Sequence, residues 1–508
     1  MKKTYLFAIN ALVLLMGAVS CQKEDAPVRN EEPAASEITI TASIAGGTKT
    51  AYNDDGSKLV QTWAVDDEVF GFLDGEPSTT VTFKVTAVDP STGIATLEQI
   101  TSVNLSGKTI HLIYYPGKEA DCLSSGTLAV DLSYQSFDTV PAIMLASATE
   151  SGGSINFVFS NACAIIGVKN PSFSGVTATS VQNLTLSSHS IVAEGTIAVS
   201  GGNLVLTPSA PSKFITKWIY NGIVADETYY IAAIACSPAD LVLSAVGFVG
   251  HATLDPTPEY PCEYAIMTLD TLALGDKTIE ANNYYCVYDK TFTSVTLPTA
   301  GAQVTTTDGA VWADRNLGAT SATPGDVNAL GDYYQWGAVE KIYTDITDRS
   351  LTSGTFSFVS GKSFVKTNAP YSSGNTYTKY IYGSDKTSLD PVDDIVQINY
   401  PGSGWRMPTV EEFQAMNTAA TSKDWDSTNK GKTFVINEKS LWFPAAGFGD
   451  NSALSYPGER ACYLSSSLSG STNNASVMYF NVSQFFLPSG SYRYDGFSVR
   501  PVIDCETN

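Results

Sequence analysis

The sequence predicts a mostly β protein of several domains, and three observations support that prediction. At 508 residues the chain is long enough for about three domains, each with its own core. Only 16% of residues are charged, while Gly and Tyr number 40 and 26, a composition typical of twisted strands joined by tight turns. The segment Glu37–Ile44 alternates polar and apolar residues, as a strand with one buried face does, and Gly46-Gly47 ends it.

The charge balance excludes nucleic acid as a partner. Lys and Arg total 29 against 51 Asp and Glu, which gives a formal net charge of -22. Such a chain repels phosphate backbones and anionic lipid head groups.

Residues 1–21 have the features of an export signal. Lys2-Lys3 is a basic start, and the apolar stretch Tyr5–Val19 is too short to span a bilayer comfortably. The following Ser20-Cys21 resembles a lipoprotein signal-peptidase site, which implies that Cys21 becomes the acylated first residue.

Residues 22–36 are rich in Glu, Pro, Ala and Asn without periodicity and predict a flexible tether. Their first four residues, Gln22–Asp25, are similar to the short acidic signals that direct Bacteroidetes lipoproteins to the outer face of the outer membrane. We therefore expect a lipoprotein exposed on the cell surface, anchored in the membrane through its lipid before any processing.

The cysteine pattern argues against a zinc site and against a dense disulfide scaffold, since seven scattered cysteines follow Cys21 without any Cys-x-x-Cys. The sequence leaves individual disulfides open, and Cys286 with Cys505 is the pair to test because these residues bracket a candidate C-terminal domain.

The chain after the first strand carries a family resemblance. Thr48-Lys49-Thr50, the turn Asn53–Gly56 and Trp63 with Asp66-Asp67 follow in that order. This succession resembles the N-terminal domain of the fimbrillin or Mfa-like pilins of Bacteroidetes. The resemblance implies two β-sandwich modules, fimbrillin-like and transthyretin-like, at residues 37–170 and 171–280. Strands of the second module are predicted at Val181–Leu186, Leu204–Leu206 and Tyr229–Ile234.

Residues 281–508 resemble a different family, the Fibrobacter major paralogous domain, which is a C-type-lectin-like module of the α+β class. The blocks that carry the resemblance are Trp312–Gly318, Gly331–Gly337, Gly404–Thr409, Trp442–Gly447, Tyr463–Ser467 and Phe497–Val502. The last of them predicts a closing strand over Phe497–Asp504.

Local patterns support a compact domain in this region. Thr409 followed by Glu412 forms a capping box that predicts a helix through about Ala420. Its arginines have nearby carboxylates as candidate partners for charge-assisted hydrogen bonds. The arginines are Arg315, Arg406 and Arg500, and the candidate partners are Asp314, Asp332, Asp393 and Asp394.

No catalytic constellation is recognisable. The three histidines, His111, His189 and His251, all precede the C-terminal domain, which excludes a Ser-His-Asp or Cys-His arrangement inside that domain. We expect no enzymatic activity and no catalytic residue.

We predict no cofactor and no metal site, with one alternative left open. Asp393 and Asp394 are neighbouring carboxylates that offer oxygen ligands to calcium, although a structural ion-paired loop is the favoured interpretation. The calcium-dependent sugar motifs of C-type lectins do not occur. The asparagines of Ser469–Ala475 and the tyrosines of Ser489–Tyr494 are predicted as ligand-contacting loops or as solvated loops.

The pilin resemblance implies a mechanism of assembly. In such pilins a trypsin-like protease removes the first strand, and the vacated groove accepts a strand from the next subunit. Here the removable strand and its groove correspond to Glu37–Ile44, and the cut would fall at Lys49 or, alternatively, at Arg29. Because Phe497–Asp504 closes its own domain, we expect a subunit that accepts a strand without donating one.

The sequence therefore favours a cell-surface adhesin, specifically the tip subunit of a type V-like pilus, or fimbrium. Its partners would be other pilin subunits and an unknown glycan or protein on a host or bacterial surface. One alternative is an outer-membrane lipoprotein that binds a glycan or host protein without joining a pilus. A surface hydrolase is a remaining alternative that rests only on paired carboxylates.

Overall fold

The computed structural model describes residues 38–45, 53–54, 59–60, 62–136, 142–188, 190–209, 211–212, 214–238, 241–253, 263–303 and 310–504. With 51% of residues in strands and 7% in helices, the mostly β prediction is confirmed. From Thr39 onward the chain forms one compact unit. Among the described residues, no helix has the length and apolar character needed to cross a membrane.

The first group of strands builds a seven-stranded sheet that closes on itself in the order β1-β11-β10-β7-β4-β5-β6. Its core contains Trp63, whose ring packs edge-on against Phe159 at 5.0 Å between ring centres. The strands of this sheet are β1 Thr39–Ile44, β4 Glu68–Leu73, β5 Glu76–Val88, β6 Ala95–Gln99, β7 Thr109–Tyr114, β10 Met144–Thr149 and β11 Ser154–Asn161. β2 Asn53–Asp54 and β3 Leu59–Val60 form a separate two-stranded sheet, and β8 Leu128–Asp131 and β9 Tyr134–Gln135 pair with strands of the second group.

The second group forms a seven-stranded sheet and two three-stranded sheets around one core. The strands are β12 Cys163–Lys169, β13 Ser172–Phe173, β14 Val181–Ser187, β15 Glu194–Ser200, β16 Asn203–Pro208, β17 Phe214–Trp218, β18 Thr228–Ile234, β19 Leu241–Thr253, β20 Glu263–Gly275, β21 Tyr284–Tyr288 and β22 Thr291–Val295. The sheet orders are β13-β22-β20-β19-β14-β17-β9, β18-β12-β21 and β16-β15-β8. The three predicted strands of this region are confirmed as β14, β16 and β18.

Strands on both sides of the predicted domain limits share sheets. β8 pairs with β15 and β9 with β17, although β8 and β9 precede residue 170. β21 pairs with β12 and β22 with β20, although β21 and β22 follow residue 280. The limits at residues 170 and 280 remain predictions.

The C-terminal region combines short strands and two α-helices. The strands are β23 Ala300–Gln303, β24 Ala310–Ala313, β25 Tyr343–Thr347, β26 Thr355–Phe358, β27 Ser372–Ser373, β28 Thr376–Tyr377, β29 Trp405–Arg406, β30 Ser422–Asp426, β31 Gly431–Ile436, β32 Lys439–Pro444, β33 Phe448–Asp450, β34 Ala453–Ser455, β35 Arg460–Leu468, β36 Asn474–Asn481, β37 Phe485–Tyr492 and β38 Val502–Asp504. The helices are α1 Ile395–Asn399 and α2 Val410–Ala419. Short 3-10 helices in this region cover Val327–Ala329, Lys366–Asn368 and Pro391–Asp393, and two more lie earlier in the chain at Ala120–Cys122 and Ala178–Ser180.

The predicted capping box is confirmed at the start of α2. Thr409 accepts a hydrogen bond from the amide of Glu412, and the Glu412 carboxylate accepts one from the amide of Thr409 at 2.7 Å. These two bonds satisfy donors that a helix start otherwise leaves unpaired.

Gly71 lies where β4 leaves no room for a side chain beside β7, and alanine there should destabilise the closed sheet. A Cβ atom at this position would lie 1.8 Å from the carbonyl oxygen of His111 in the adjacent β7. Because that neighbour is backbone, the strands must separate, and we expect Gly71→Ala to lower the free energy of unfolding by about 3 kcal/mol. Thermal unfolding measures the effect. Gly470→Ala is the matched control because a Cβ there meets nothing within 4 Å. Equal stability of the two variants would contradict the expectation.

Candidate functional site

The first candidate site is the position of β1 inside the closed sheet. β1 runs parallel to β11 over its whole length, from Thr39 beside Ser154 to Ile44 beside Phe159. On its other side it pairs antiparallel with β6 at Thr41 and Ala42. Both hydrogen-bonding edges of β1 are therefore occupied, and its removal would leave a groove between β6 and β11.

The side chains of β1 define what the groove accepts. Ile40 and Ala42 point inward and are 4% and 0% exposed. They lie beside Ile155 and Phe157, which are equally buried. Thr41 points outward, where its hydroxyl donates to Asn156 Oδ1 at 2.7 Å. The groove thus has inward positions every second residue, and the one beside Phe157 holds a small side chain.

Several predicted site residues lie outside the described residues. These are the lipidation site Cys21, the two processing positions Arg29 and Lys49, and Glu37 at the start of the predicted removable strand. Cys505 also lies outside, so the candidate pairing with Cys286 stays open.

Asp393, the first of the two candidate calcium ligands, is fully buried among protein donors. Its carboxylate accepts hydrogen bonds from the hydroxyls of Tyr371 and Tyr380. It also forms an ion pair with Lys379, whose Nζ lies 2.6 Å from Oδ2. Lys379 also reaches Asp390 at 2.8 Å. A buried carboxylate is tolerated when charge and donors surround it in this way.

Asp394, the second candidate ligand, caps the helix α1. It accepts from the amide of Val396 at 2.8 Å and from the amide of Met407 at 2.8 Å, and thereby ties the helix start to β29 and its flank. Burial raises the pKa of Asp394 above its ordinary value, while these amides favour the ionised form. The described residues contain no group of three or more Asp, Glu, His or Cys side chains arranged to hold a metal ion.

The predicted arginine partners are right for one arginine and wrong for two. Arg315 pairs with Asp314 at 2.8 Å, as predicted. Arg406 instead pairs with Glu412 at 2.6 Å and with Asp504, because the capping box brings Glu412 beneath its guanidinium. Within the part of the chain that the structure describes, Arg500 contacts no carboxylate and donates to uncharged acceptors.

The predicted ligand loops are partly strand. Asn474 and Ala475 begin β36, and Ser489–Tyr492 end β37. Arg493, within the second loop, is fully buried and stacks on the ring of Tyr377 at 4.0 Å. Tyr492 remains 52% exposed at the surface. The tyrosines and serines of this segment do not indicate that Arg493 is buried and holds the segment against the core.

Both ring nitrogens of His111 are engaged. Nδ1 lies 2.8 Å from the hydroxyl of Ser147 and Nε2 lies 3.2 Å from Asp74. The imidazole is fully buried, and the Ser147 hydroxyl also accepts from the amide of Leu204 at 3.3 Å. These contacts link β7, β10 and β16.

Comparison with known proteins gives low similarities. No protein-family model and no curated protein matches the chain. A candidate cell adhesion protein from Bacteroides ovatus is 14% identical, with a TM-score of 0.32, over 51% of this chain and 96% of its own. A similar candidate from Bacteroides uniformis is 13% identical, with a TM-score of 0.29, over 51% and 98%. A fimbrial protein from Bacteroides ovatus is 10% identical, with a TM-score of 0.25, over 92% and 99%.

Proposed function

We propose that this chain is a non-catalytic cell-surface adhesin that joins a pilus by accepting a neighbouring subunit's strand in place of β1. The observation that carries the proposal is the pairing of β1 with β11 on one edge and β6 on the other. Loss of this single strand would open one continuous groove without cutting any internal connection of the sheet.

The energetics favour refilling of such a groove. Two unpaired strand edges expose backbone donors and acceptors that readily pair with an added strand. The inward positions of Ile40 and Ala42 would supply specificity, because a strand out of register by one residue would turn polar side chains into the core.

We further propose a terminal position in the fibre. β38 lies between β24 and β29 and pairs with both, so this strand is held inside its own sheet and is not offered to a neighbour. A subunit that accepts a strand while keeping this one belongs at the tip.

Mass spectrometry of the protein recovered from sheared surface fibres tests assembly. Cleavage after Lys49 predicts a mature N-terminus at Thr50, in a fraction that contains other pilin subunits. An acylated N-terminus at Cys21, with the protein absent from fibres, would contradict the proposal. It would favour the alternative of a lipoprotein that binds a glycan or host protein without joining a pilus.

A peptide experiment tests the groove itself. A chain that starts at Thr50 should bind a synthetic peptide of residues 37–45. The same peptide with Ile40→Asp should bind on the order of a hundredfold more weakly, because it places a charge in the core and removes an apolar side chain. Thr39→Asp is the control, because Thr39 is exposed. Equal affinity of both substituted peptides would show that β1 does not mark a strand-accepting groove.

A further inference from the structure

A cleft of about 250 Å³ lies where the seven-stranded sheet of the second group meets the segment that follows α1. Trp218 and Tyr134 contribute from the sheet, and Tyr400 and Trp405 from the opposite side. Trp218 is 40% exposed and Tyr134 is 60% exposed, so their rings present apolar surface to solvent. Large exposed aromatics that line a concave site are typical of binding surfaces.

The sheet places polar groups beside these rings. β17 alternates so that Thr216 and Trp218 share one face, and the register sets Tyr134 beside Thr216 and Asn183 beside Trp218. Asn183, Thr185 and Thr216 are at most 5% exposed. The Thr185 and Thr216 hydroxyls lie 3.0 Å apart. A sheet face covered by another part of the chain is normally apolar, whereas Asn183, Thr185 and Thr216 form a buried polar floor in this cleft.

An unsatisfied hydroxyl adjoins the same floor. Ser244 lies beside Thr185 on β19 and is fully buried, and its Oγ has no hydrogen-bond partner among the described residues. Buried hydroxyls without partners are uncommon in folded proteins. Ser244 does not itself line the cleft, and on the floor the Thr185 hydroxyl donates to Asn183 Oδ1 at 3.2 Å, so the polar patch extends beneath the cleft.

The cleft carries no charge, which selects the class of ligand. None of its lining residues is Asp, Glu, Lys, Arg or His, although the chain has a net charge of -22. An acidic saccharide or a peptide terminus would find no opposite charge here. A neutral sugar ring matches the site because its C–H face packs on an aromatic ring while its hydroxyls bond to amide and hydroxyl groups.

We propose that this cleft binds a neutral saccharide, with Trp218 as the stacking platform and Asn183, Thr216 and Gln397 as the polar contacts. The volume suits a single ring. Trp218 also lines a neighbouring cavity of about 320 Å³, but Lys217 and Glu227 line that cavity too, so the uncharged surface is confined to the first cleft. This inference rests on the proposed adhesin function and names the ligand class of that adhesin.

The test uses the full mature chain. An array of neutral, sialylated and sulfated glycans, followed by calorimetry with the best neutral oligosaccharide, should show selective binding of neutral glycans. Trp218→Ala should weaken that binding by on the order of tenfold or more, and Trp218→Phe should retain part of it. Tyr382→Ala is the matched control, because Tyr382 is a 61% exposed aromatic that does not line the cleft. Thermal unfolding confirms that each variant folds.

Three outcomes would overturn the inference: no neutral glycan on the array binds, charged glycans bind preferentially, or neutral binding survives Trp218→Ala unchanged. These outcomes are distinguishable from failure of the proposed function. Strand exchange is read from the mature N-terminus and from peptide binding at the β1 groove, and Trp218 takes no part in that groove.

Discussion

Replacement of Arg500 with methionine is expected to lower the free energy of unfolding by about 3 to 5 kcal/mol, because it leaves several buried acceptors unsatisfied. Arg500 is 1% exposed. Its guanidinium donates to Asn316 Oδ1 at 2.9 Å, to the carbonyl of Ala313 at 3.1 Å and to the carbonyl of Trp442 at 2.8 Å. Methionine fills similar space but supplies no donor, so three buried acceptors lose these bonds together.

The reason for so large an effect is the position of Arg500 in a wider network. Asn316 also donates to the carbonyl of Leu330 and to the hydroxyl of Tyr463, at 3.0 and 3.2 Å. The guanidinium also stacks on the Phe443 ring at 4.2 Å. Burial lowers the pKa of Arg500, and the opposing effects of Tyr463 and Asp314 do not cancel it.

Urea denaturation followed by tryptophan fluorescence measures this prediction, and a change in midpoint without a change in slope identifies a stability effect. Arg315→Met is the matched control. Arg315 and its partner Asp314 are 25% and 23% exposed, so their ion pair should contribute no more than about 1 kcal/mol. A loss of less than about 1 kcal/mol for Arg500→Met would contradict the expected role of the network.

Arg500 also illustrates what the sequence alone could predict. Patterns that are local along the chain were read correctly: the strand that became β1, the three strands β14, β16 and β18, and the capping box of α2. Arg500 and Asn316 are separated by 184 positions, and no local pattern joins them. The sheets that β8, β9, β21 and β22 share across the predicted limits were missed for the same reason. Each of these strands pairs with a strand far away in the sequence, and no local pattern indicates such a partner.

Of the two candidate sites, the β1 groove was predicted from the sequence and the aromatic cleft was not. The strand that fills the groove was predicted from the alternation of polar and apolar residues in Glu37–Ile44 and from the resemblance to pilins. The role of this groove in strand exchange remains a prediction. The cleft was not predicted, because Tyr134, Trp218 and Tyr400 come from three distant segments and none belongs to a recognisable sugar motif. The alternation of polar and apolar residues along a strand does not predict how exposed Trp218 is, because the face on which it lies is only partly covered by other parts of the chain.

Replacement of Asp495 with asparagine is expected to stabilise the protein at neutral pH. Asp495 is 8% exposed, and its Oδ1 has no hydrogen-bond partner among the described residues. The paired amides and carbonyls of Gly449 and Gly496 set Asp450 directly opposite Asp495. Two carboxylates in that relation repel each other. Burial, and secondarily the charge of Asp450, raises the pKa of Asp495 from 3.8 to about 7.

The direction of the pH dependence follows from that shift. The folded protein holds a proton on Asp495 that the unfolded chain releases, so stability declines as the pH rises from about 4 to about 7. The substituted asparagine side chain cannot ionise, and its amide can donate to Asp450. We expect Asp495→Asn to gain about 2 to 4 kcal/mol over the natural protein at about pH 8. The gain should shrink to near zero by about pH 3, below the ordinary pKa of 3.8, where Asp495 is protonated in both states.

Urea titrations of both proteins across this pH range give the difference curve directly. Asp345→Asn is the control, because Asp345 is exposed and its substitution should shift stability little at any pH. A difference curve that is flat with pH would show that Asp495 is neutralised by a contact other than its own proton. A curve that rises between about pH 4 and 7 and then levels would identify an uncompensated carboxylate. Asp495 and Arg500, whose charge is met by neutral oxygens, would then be two buried charges held without an ion pair, in contrast to Asp393 with Lys379.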